Sequence, residues 1–226
     1  SYAIITGSTD GIGLTYAKIL AESGFNLVCI ARNGQKLNEK EAEIRNHASK
    51  RRNLKIVNII KDFTEAYKPE FYQDIQQVVR NLDISILVNN VGIWLPDKEQ
   101  ILPHSFKTLI DTISVNCCAQ VGMFKTIWPL MRERSARLKK PMRCAILDMS
   151  SIFGVLPYSI ATVQSASKKF VREFTLGLSS YLSRPGPSTP QEIPTQIDFL
   201  SITPSTVESN MTTNGDDVVT RRSPGD

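Results

Sequence analysis

Short runs that are apolar on both faces, each followed by a longer helical pattern, set the strictest limit on what this chain can fold into. Ile84-Ser85-Ile86-Leu87-Val88 is the clearest of them. A strand with one face in water alternates apolar and polar residues. A strand that is apolar throughout must be covered on both sides, as parallel strands beneath crossover helices are. Strand patterns run over residues 2–6, 26–31, 54–60, 84–88, 144–149 and 196–202, and helical patterns over 12–23, 35–48, 69–82, 103–134 and 160–182. With right-handed crossovers this alternation predicts an α/β fold: one doubly wound parallel sheet of the Rossmann type, in the order 3-2-1-4-5-6, with helices on both faces. At 226 residues, 41% hydrophobic and 22% charged, the chain suits one domain with a sizeable core.

Between the first strand and the first helix lies Thr6-Gly7-Ser8-Thr9-Asp10-Gly11-Ile12-Gly13. Glycines there let the backbone approach a pyrophosphate closely, and the helix N-terminus adds uncommitted N–H groups and the positive end of its dipole. The spacing is Gly-x-x-x-Gly-x-Gly rather than the commoner dinucleotide fingerprint. Its place, after a strand and opening a helix, is what marks it as a nucleotide site; the bland reading is a tight strand–helix turn.

The second strand ends Ala31-Arg32-Asn33, where an acid would take the ribose 2′-hydroxyl of NAD. Ala31 cannot do so, whereas Arg32 can pair with a 2′-phosphate, which favours NADP(H). The competing reading of Arg32 is an ordinary surface arginine. Asp62 and Phe63 follow the third strand, where a carboxylate can accept from an adenine amino group. Asn89, Asn90, Val91 and Gly92 follow the fourth, at the point where the strand order reverses and ligands collect.

Together these residues resemble the short-chain dehydrogenase/reductase family. Thr6–Gly13 and the Val-Asn-Asn-Val-Gly run ending at Gly92 are most similar to the branch of microsomal 3-ketoacyl-CoA reductases and 17β-hydroxysteroid dehydrogenases. The resemblance implies a working tetrad of Asn, Ser, Tyr and Lys. Asn116 matches the asparagine. Ser151, thirteen positions before the tyrosine slot, matches the serine, with Ser150 as the one-off alternative. Lys168 matches the lysine, but the tyrosine slot of Gln164-Ser165-Ala166-Ser167-Lys168 holds glutamine. After the sixth strand, Pro204, Val207 and Ser209 fall on the segment whose backbone contacts the nicotinamide amide, with Ser205 in place of a glycine.

In the family the serine holds the ketone oxygen, the tyrosine protonates it, the lysine lowers the phenol pKa and holds the ribose, and the asparagine positions a water. Gln164 can donate a hydrogen bond but no proton. Loss of a positioned general acid costs roughly 10²–10⁴ in rate. The resemblance therefore implies an NADP(H)-dependent oxidoreductase of a hydrophobic ketone or alcohol, a steroid or a 3-oxoacyl thioester, with impaired turnover. The alternative is an inactive NADP(H)-binding protein serving as sensor or scaffold; a third reading is an interaction module. Tyr158 lies six positions early and on the preceding loop.

The remaining features bound partners and place. Cys29, Cys117, Cys118 and Cys144 lack metal or redox spacing, and His47 and His104 lack ligand neighbours, so reduced thiols and no metal are expected. Net charge is +5, with Arg132, Arg134, Arg137, Lys139, Lys140 and Arg143 clustered against Glu133. That cluster reads as a solvated helix end or as a contact with membrane headgroups. Nucleic acid is disfavoured, because no aromatics interleave with the cations. Residues 184–194, with four prolines, read as a loop insertion, and the tail from 212 is polar. No apolar run approaches the roughly 18 residues of a membrane helix. The chain opens on a strand, which implies a segment upstream. The resemblance implies that a last helix and strand are lacking, that the protein forms a homo-oligomer, and that it associates with the endoplasmic reticulum membrane.

Overall fold

The computed structural model describes residues 1–95, 104–156, 161–182 and 196–205. In chain order they form β1 (Tyr2–Thr6), α1 (Gly11–Glu22), β2 (Asn26–Ala31), α2 (Gly34–His47), β3 (Ile56–Ile60), α3 (Phe71–Val79), β4 (Ile84–Asn89), α4 (Phe106–Ile113), α5 (Ala119–Arg132), α6 (Arg134–Leu138), β5 (Arg143–Met149), α7 (Thr162–Leu182) and β6 (Gln196–Ile202). Single 3₁₀ turns follow β3 and β5, at Phe63–Glu65 and Ile152–Gly154. The strands form one six-stranded sheet in the order β3-β2-β1-β4-β5-β6, and every neighbouring pair is parallel. This is the predicted fold and strand order.

The two-sided strands make sense in the packing. Ile4 on β1 joins a core with Ile84 and Leu87 of β4, Ile75 and Val79 of α3, and Met123, Ile127 and Met131 of α5. Its neighbours Ala3 and Ile5 face the other way, into a core with Leu27 and Cys29 of β2, Leu14, Ala17 and Ala21 of α1, and Leu37 and Ile44 of α2. One residue of register therefore separates the two cores.

The helix predicted over 103–134 is interrupted. Between α4 and α5, Ser114–Cys118 form a π turn, in which Ala119 N donates five residues back to Ser114 O. Two long-range side-chain bonds fasten the turn. Ser114 Oγ donates to Phe63 O at 3.1 Å, and Tyr72 Oη reaches both Ala66 O (2.7 Å) and Cys118 O (3.1 Å). The Tyr72 ring lies across Gly122, where an added Cβ would stand 1.9 Å from Tyr72 Cζ. Single π turns of this kind concentrate at functional sites.

The basic stretch is largely committed to structure. Arg134 is buried and forks onto Asp83 through Nε (2.7 Å) and Nη2 (3.0 Å), while its Nη1 donates to Arg143 O (3.1 Å). The guanidinium holds the Asp83 carboxyl below its ordinary range. Arg137 also reaches Asp83, Arg143 pairs with Asp198, and Arg132 lies over the Trp128 ring. Lys139 and Lys140 are exposed. Among the described residues no helix is long and apolar enough to cross a membrane.

Gly122→Ala should destabilise the protein by about 1–3 kcal/mol through overpacking. The denaturant midpoint measures this, and pairing the change with Tyr72→Ala should make the two effects strongly non-additive.

Candidate active site

The glycine turn is built by backbone need. Gly7 (φ +66°) and Gly11 (φ +48°) occupy the left-handed region that side chains disfavour. A Cβ on Gly13 would stand 2.3 Å from Gly7 O and 2.4 Å from Asn90 Nδ2. Asn90 ties the turn to β4: its Nδ2 donates to Thr6 O (3.0 Å) and Gly7 O (3.2 Å). The main-chain N–H groups of Asn90 and Val91 both donate to Thr6 Oγ1, at 2.9 and 3.0 Å. Asp10, the residue before α1, gives the helix no side-chain cap, and the first turn of a helix is where an anion is favoured.

Several residues expected to touch a nucleotide do so through main chain at most. The Ser8 side chain is buried beside the Cys29 thiol. The Ile12 side chain packs against the α1–α2 core. Phe63 is buried with its ring 5.2 Å from Phe71. Asn89 turns its amide onto Asp148 (2.8 Å) beneath the crevice rather than into it. In these four residues, apolar packing or a buried polar partner claims the side chain, which leaves the main chain as the part that can face a ligand. Thr9 and Asp10 are half-buried on the turn. Asp62 Oδ1 caps the following 3₁₀ turn by accepting from Thr64 N at 3.0 Å. Arg32 is exposed at the end of β2 and, with Asp62 and Lys61, lines an open cleft of about 550 Å³.

The tetrad positions converge where β4, the π turn, β5 and α7 meet. Asn116, on the π turn, donates from Nδ2 to Ile93 O (3.2 Å), Gln164 Oε1 (3.0 Å) and Ser167 Oγ (3.0 Å). Its Oδ1 accepts from Ile93 N at 2.8 Å. Gln164 is 4% exposed and lies within this amide network. Ser167 Oγ in turn donates to Gln164 O at 2.8 Å. Of the two serines, Ser150 is spent on Lys168 O (2.7 Å). Ser151 is half-buried and accepts from Phe153 N at 3.3 Å. The turn after it is pinned by Ile152 N to Pro204 O (3.0 Å) and presses on α7, where a Cβ on Gly154 would meet Lys168 C at 2.6 Å. The Trp94 and Phe153 rings, 5.2 Å apart, form an aromatic pair beside Ile93 and Ser151.

Lys168 is 7% exposed and donates from Nζ to Met149 O at 2.7 Å. Burial pulls its pKa from 10.5 down to about 8, while Cys117 and Asp148 oppose the fall. Asp148 is 1% exposed; besides Asn89 it accepts from Thr175 Oγ1 at 2.7 Å, and burial raises its carboxyl pKa. Sequence reasoning passed over Asp148, Thr175, Ser167 and Trp94. The acid inside the apolar strand Cys144-Ala145-Ile146-Leu147-Asp148 was the one mark in the sequence that pointed there. Val207, Ser209, Tyr158 and the 184–194 segment lie outside the described residues.

A glycine turn at the switch point of a parallel sheet, with Asn116 and Lys168 beside Gly92, defines a dinucleotide-fold α/β protein. The chain belongs to the short chain dehydrogenase family, whose sequence model matches residues 1–218. It is 35% identical over 180 residues to the very-long-chain 3-oxoacyl-CoA reductase of Anas platyrhynchos, covering 79% of this chain and 54% of that protein. It is 34% identical over 187 residues to the 17-beta-hydroxysteroid dehydrogenase type 3 of Danio rerio, covering 81% of this chain and 56% of that one. These matches place it near that branch, and the chain spans about half the length of the curated relatives it matches. A solved short-chain dehydrogenase from Sphingobium yanoikuyae, in complex with NADPH, shares the fold with TM-score 0.74 at 23% identity, covering 94% of this chain and 73% of that one.

The buried Lys168 ammonium makes a testable contribution to stability. Because its folded pKa is lowered to about 8 from 10.5, the unfolded chain binds more protons between those values, and wild-type stability rises with pH across that window. The difference in Tm between Lys168→Met and wild type should therefore move in the wild type's favour from pH 8 towards pH 10, as followed by thermal melts.

Proposed function

We propose that this chain is an NADP(H)-binding oxidoreductase domain acting slowly on a hydrophobic ketone or its alcohol, a steroid or a 3-oxoacyl thioester. The whole chain is read as one such domain. The backbone of Gly7 to Gly13 and the first turn of α1 hold the pyrophosphate, Arg32 takes a 2′-phosphate, and Asp62 and the main chain of Phe63 flank the adenine. The main chain of Val91 and Gly92 lies along the ribose. Lys168 uses one of three N–H donors on Met149 O, which leaves others for ribose hydroxyls. Pro204, Val207 and Ser209 border the nicotinamide. When bound, the cofactor supplies or accepts a hydride.

The chain's own residues then do the rest. Ser151 donates its hydroxyl to the ketone oxygen. The amide oxygen of Gln164 is engaged by Asn116, so its amide nitrogen is the end that can face a ligand. The site polarises the oxygen through these two groups, and residue 164 has no proton to give. The Trp94–Phe153 pair and the exposed Ile152, Val155 and Leu156 supply apolar contact for a hydrophobic substrate. Association with endoplasmic reticulum membrane, a surface contact through Lys139 and Lys140, and a homo-oligomer fit the same reading.

One observation supports this reading above the others: Gln164 is buried and its amide oxygen accepts from Asn116, which also bonds Ser167. The same bond favours a second reading, an NADP(H)-binding sensor or scaffold without turnover, since Asn116 is committed to a neutral amide. Gln164→Tyr separates them. NADPH oxidation with 3-oxoacyl and oxosteroid substrates should rise about 10²-fold if the site is otherwise competent. No gain with NADPH binding intact supports the sensor. Arg32→Ala should weaken NADPH by roughly tenfold or more and NADH little, by titration calorimetry; equal weakening rules out the 2′-phosphate assignment.

A further inference from the structure

We propose that Lys168, with the buried carboxylate of Asp148 as its counter-charge, is the group that delivers the proton in this site. The inference rests on the oxidoreductase reading above and names the acid that reading leaves unassigned. Gln164 cannot ionise usefully, and Ser151 would have to become an alkoxide to serve as donor. The Lys168 ammonium is different, because its neutral amine is a stable product of giving up a proton.

The placement supports the role. A methyl group on Gly92 would lie 3.2 Å from Lys168 Nζ and 3.4 Å from Asn116 Oδ1. The ammonium therefore lies beside Gly92 at the switch-point crevice, alongside the amide that fixes Gln164. Only one Nζ–H is bound within the described protein, to Met149 O. The elements around it contribute few charges: Asp148 from β5 and Cys117 from the π turn, while Gly92 and Asn116 present neutral atoms. Burial pushes the Cys117 thiol up to about 11, so it stays neutral and is a poor donor. Asp148, one residue before the carbonyl that Nζ binds, is held by Asn89 and Thr175. Those two bonds favour its ionised form against burial, and the ionised form favours the lysine's charge. Burial brings the ammonium to about 8, near the ambient pH at which a general acid works best.

In the reductive direction the ketone carbon gains the hydride from NADPH and its oxygen gains a proton. The bound cofactor would give up one C–H bond and be left as NADP+, the C=O π bond would break, a substrate C–H and an O–H bond would form, and one Nζ–H bond of Lys168 would be lost. The neutral amine then recovers a proton from water. Asp148 is a positioning residue in this scheme, since it acts on Lys168 and not on the substrate.

The first test needs neither nucleotide nor turnover. In the unliganded protein with ¹⁵N/¹³C-labelled lysine, the Lys168 ε resonances are followed by NMR from pH 6 to 11. The expected midpoint lies near 8 in wild type. It should fall by about one unit in Asp148→Asn, where the counter-charge is gone. Thr175→Val, which removes one bond to Asp148, should move it the same way by less, and it serves if Asp148→Asn folds poorly. A wild-type midpoint near 10.5, or a midpoint that neither variant moves, overturns the proposal. The second test uses single-turnover NADPH oxidation with a 3-oxoacyl thioester. Lys168→Arg keeps a cation but cannot release a proton, so turnover should fall at least about tenfold while the NADPH Kd changes less. Turnover at the wild-type rate in Lys168→Arg, or none in wild type with NADPH bound, also overturns it. Failure to bind NADPH at all would instead remove the cofactor reading, leaving the titration to judge the Lys168–Asp148 pair.

Discussion

The amide of Asn116 holds the site together. Its two ends bond the main chain of Ile93 on the loop after β4 and the side chains of Gln164 and Ser167 on α7. No other described side chain joins the two walls of the crevice so directly. Because Asn116 is fully buried, each of these bonds is made away from water, where leaving one unmade would cost about 1–3 kcal/mol. These bonds tie the loop after β4 to α7. A neutral side chain at residue 164 preserves them, since an amide oxygen can accept from Asn116 without any ionisation.

A second layer lies beneath. The last two residues of β5 and the one after it grip α7: Asp148 through Thr175, Met149 through Lys168 Nζ, and Ser150 through Lys168 O. Along a strand, alternate side chains point to opposite faces, so the middle residue of the three must act through its carbonyl while its neighbours use side chains. That alternation explains why Ser150 is structural and Ser151, one step on, is left at the crevice. It also shows why a reading by spacing alone kept both serines in view.

The sheet was legible because its cause is local. Ile4 and Ile5 belong to opposite cores, and nothing but burial on both faces produces that pattern. Parallel pairing and the reversal at β4 then follow from chain connectivity. The glycines were legible for the same reason: Gly7 and Gly11 adopt conformations that few other residues tolerate. What could not be read was side-chain direction. Phe63, Asn89 and Ser8 stand at the right turns, yet packing against Phe71, a bond to Asp148 and a seat beside Cys29 decide where they point. The π turn was hidden too. Ser114-Val115-Asn116-Cys117-Cys118 has no helix breaker, and the partners that fasten it, Phe63 and Tyr72, are more than 40 residues away.

Tyr72 has a consequence of its own. Its hydroxyl is shared between Ala66, just past the Phe63–Glu65 turn, and Cys118, two residues beyond Asn116. Ser114 makes a parallel link to Phe63. The 3₁₀ turn after β3 and the π turn that carries Asn116 are thus fastened to each other at two points, so a shift in one strains its bonds to the other.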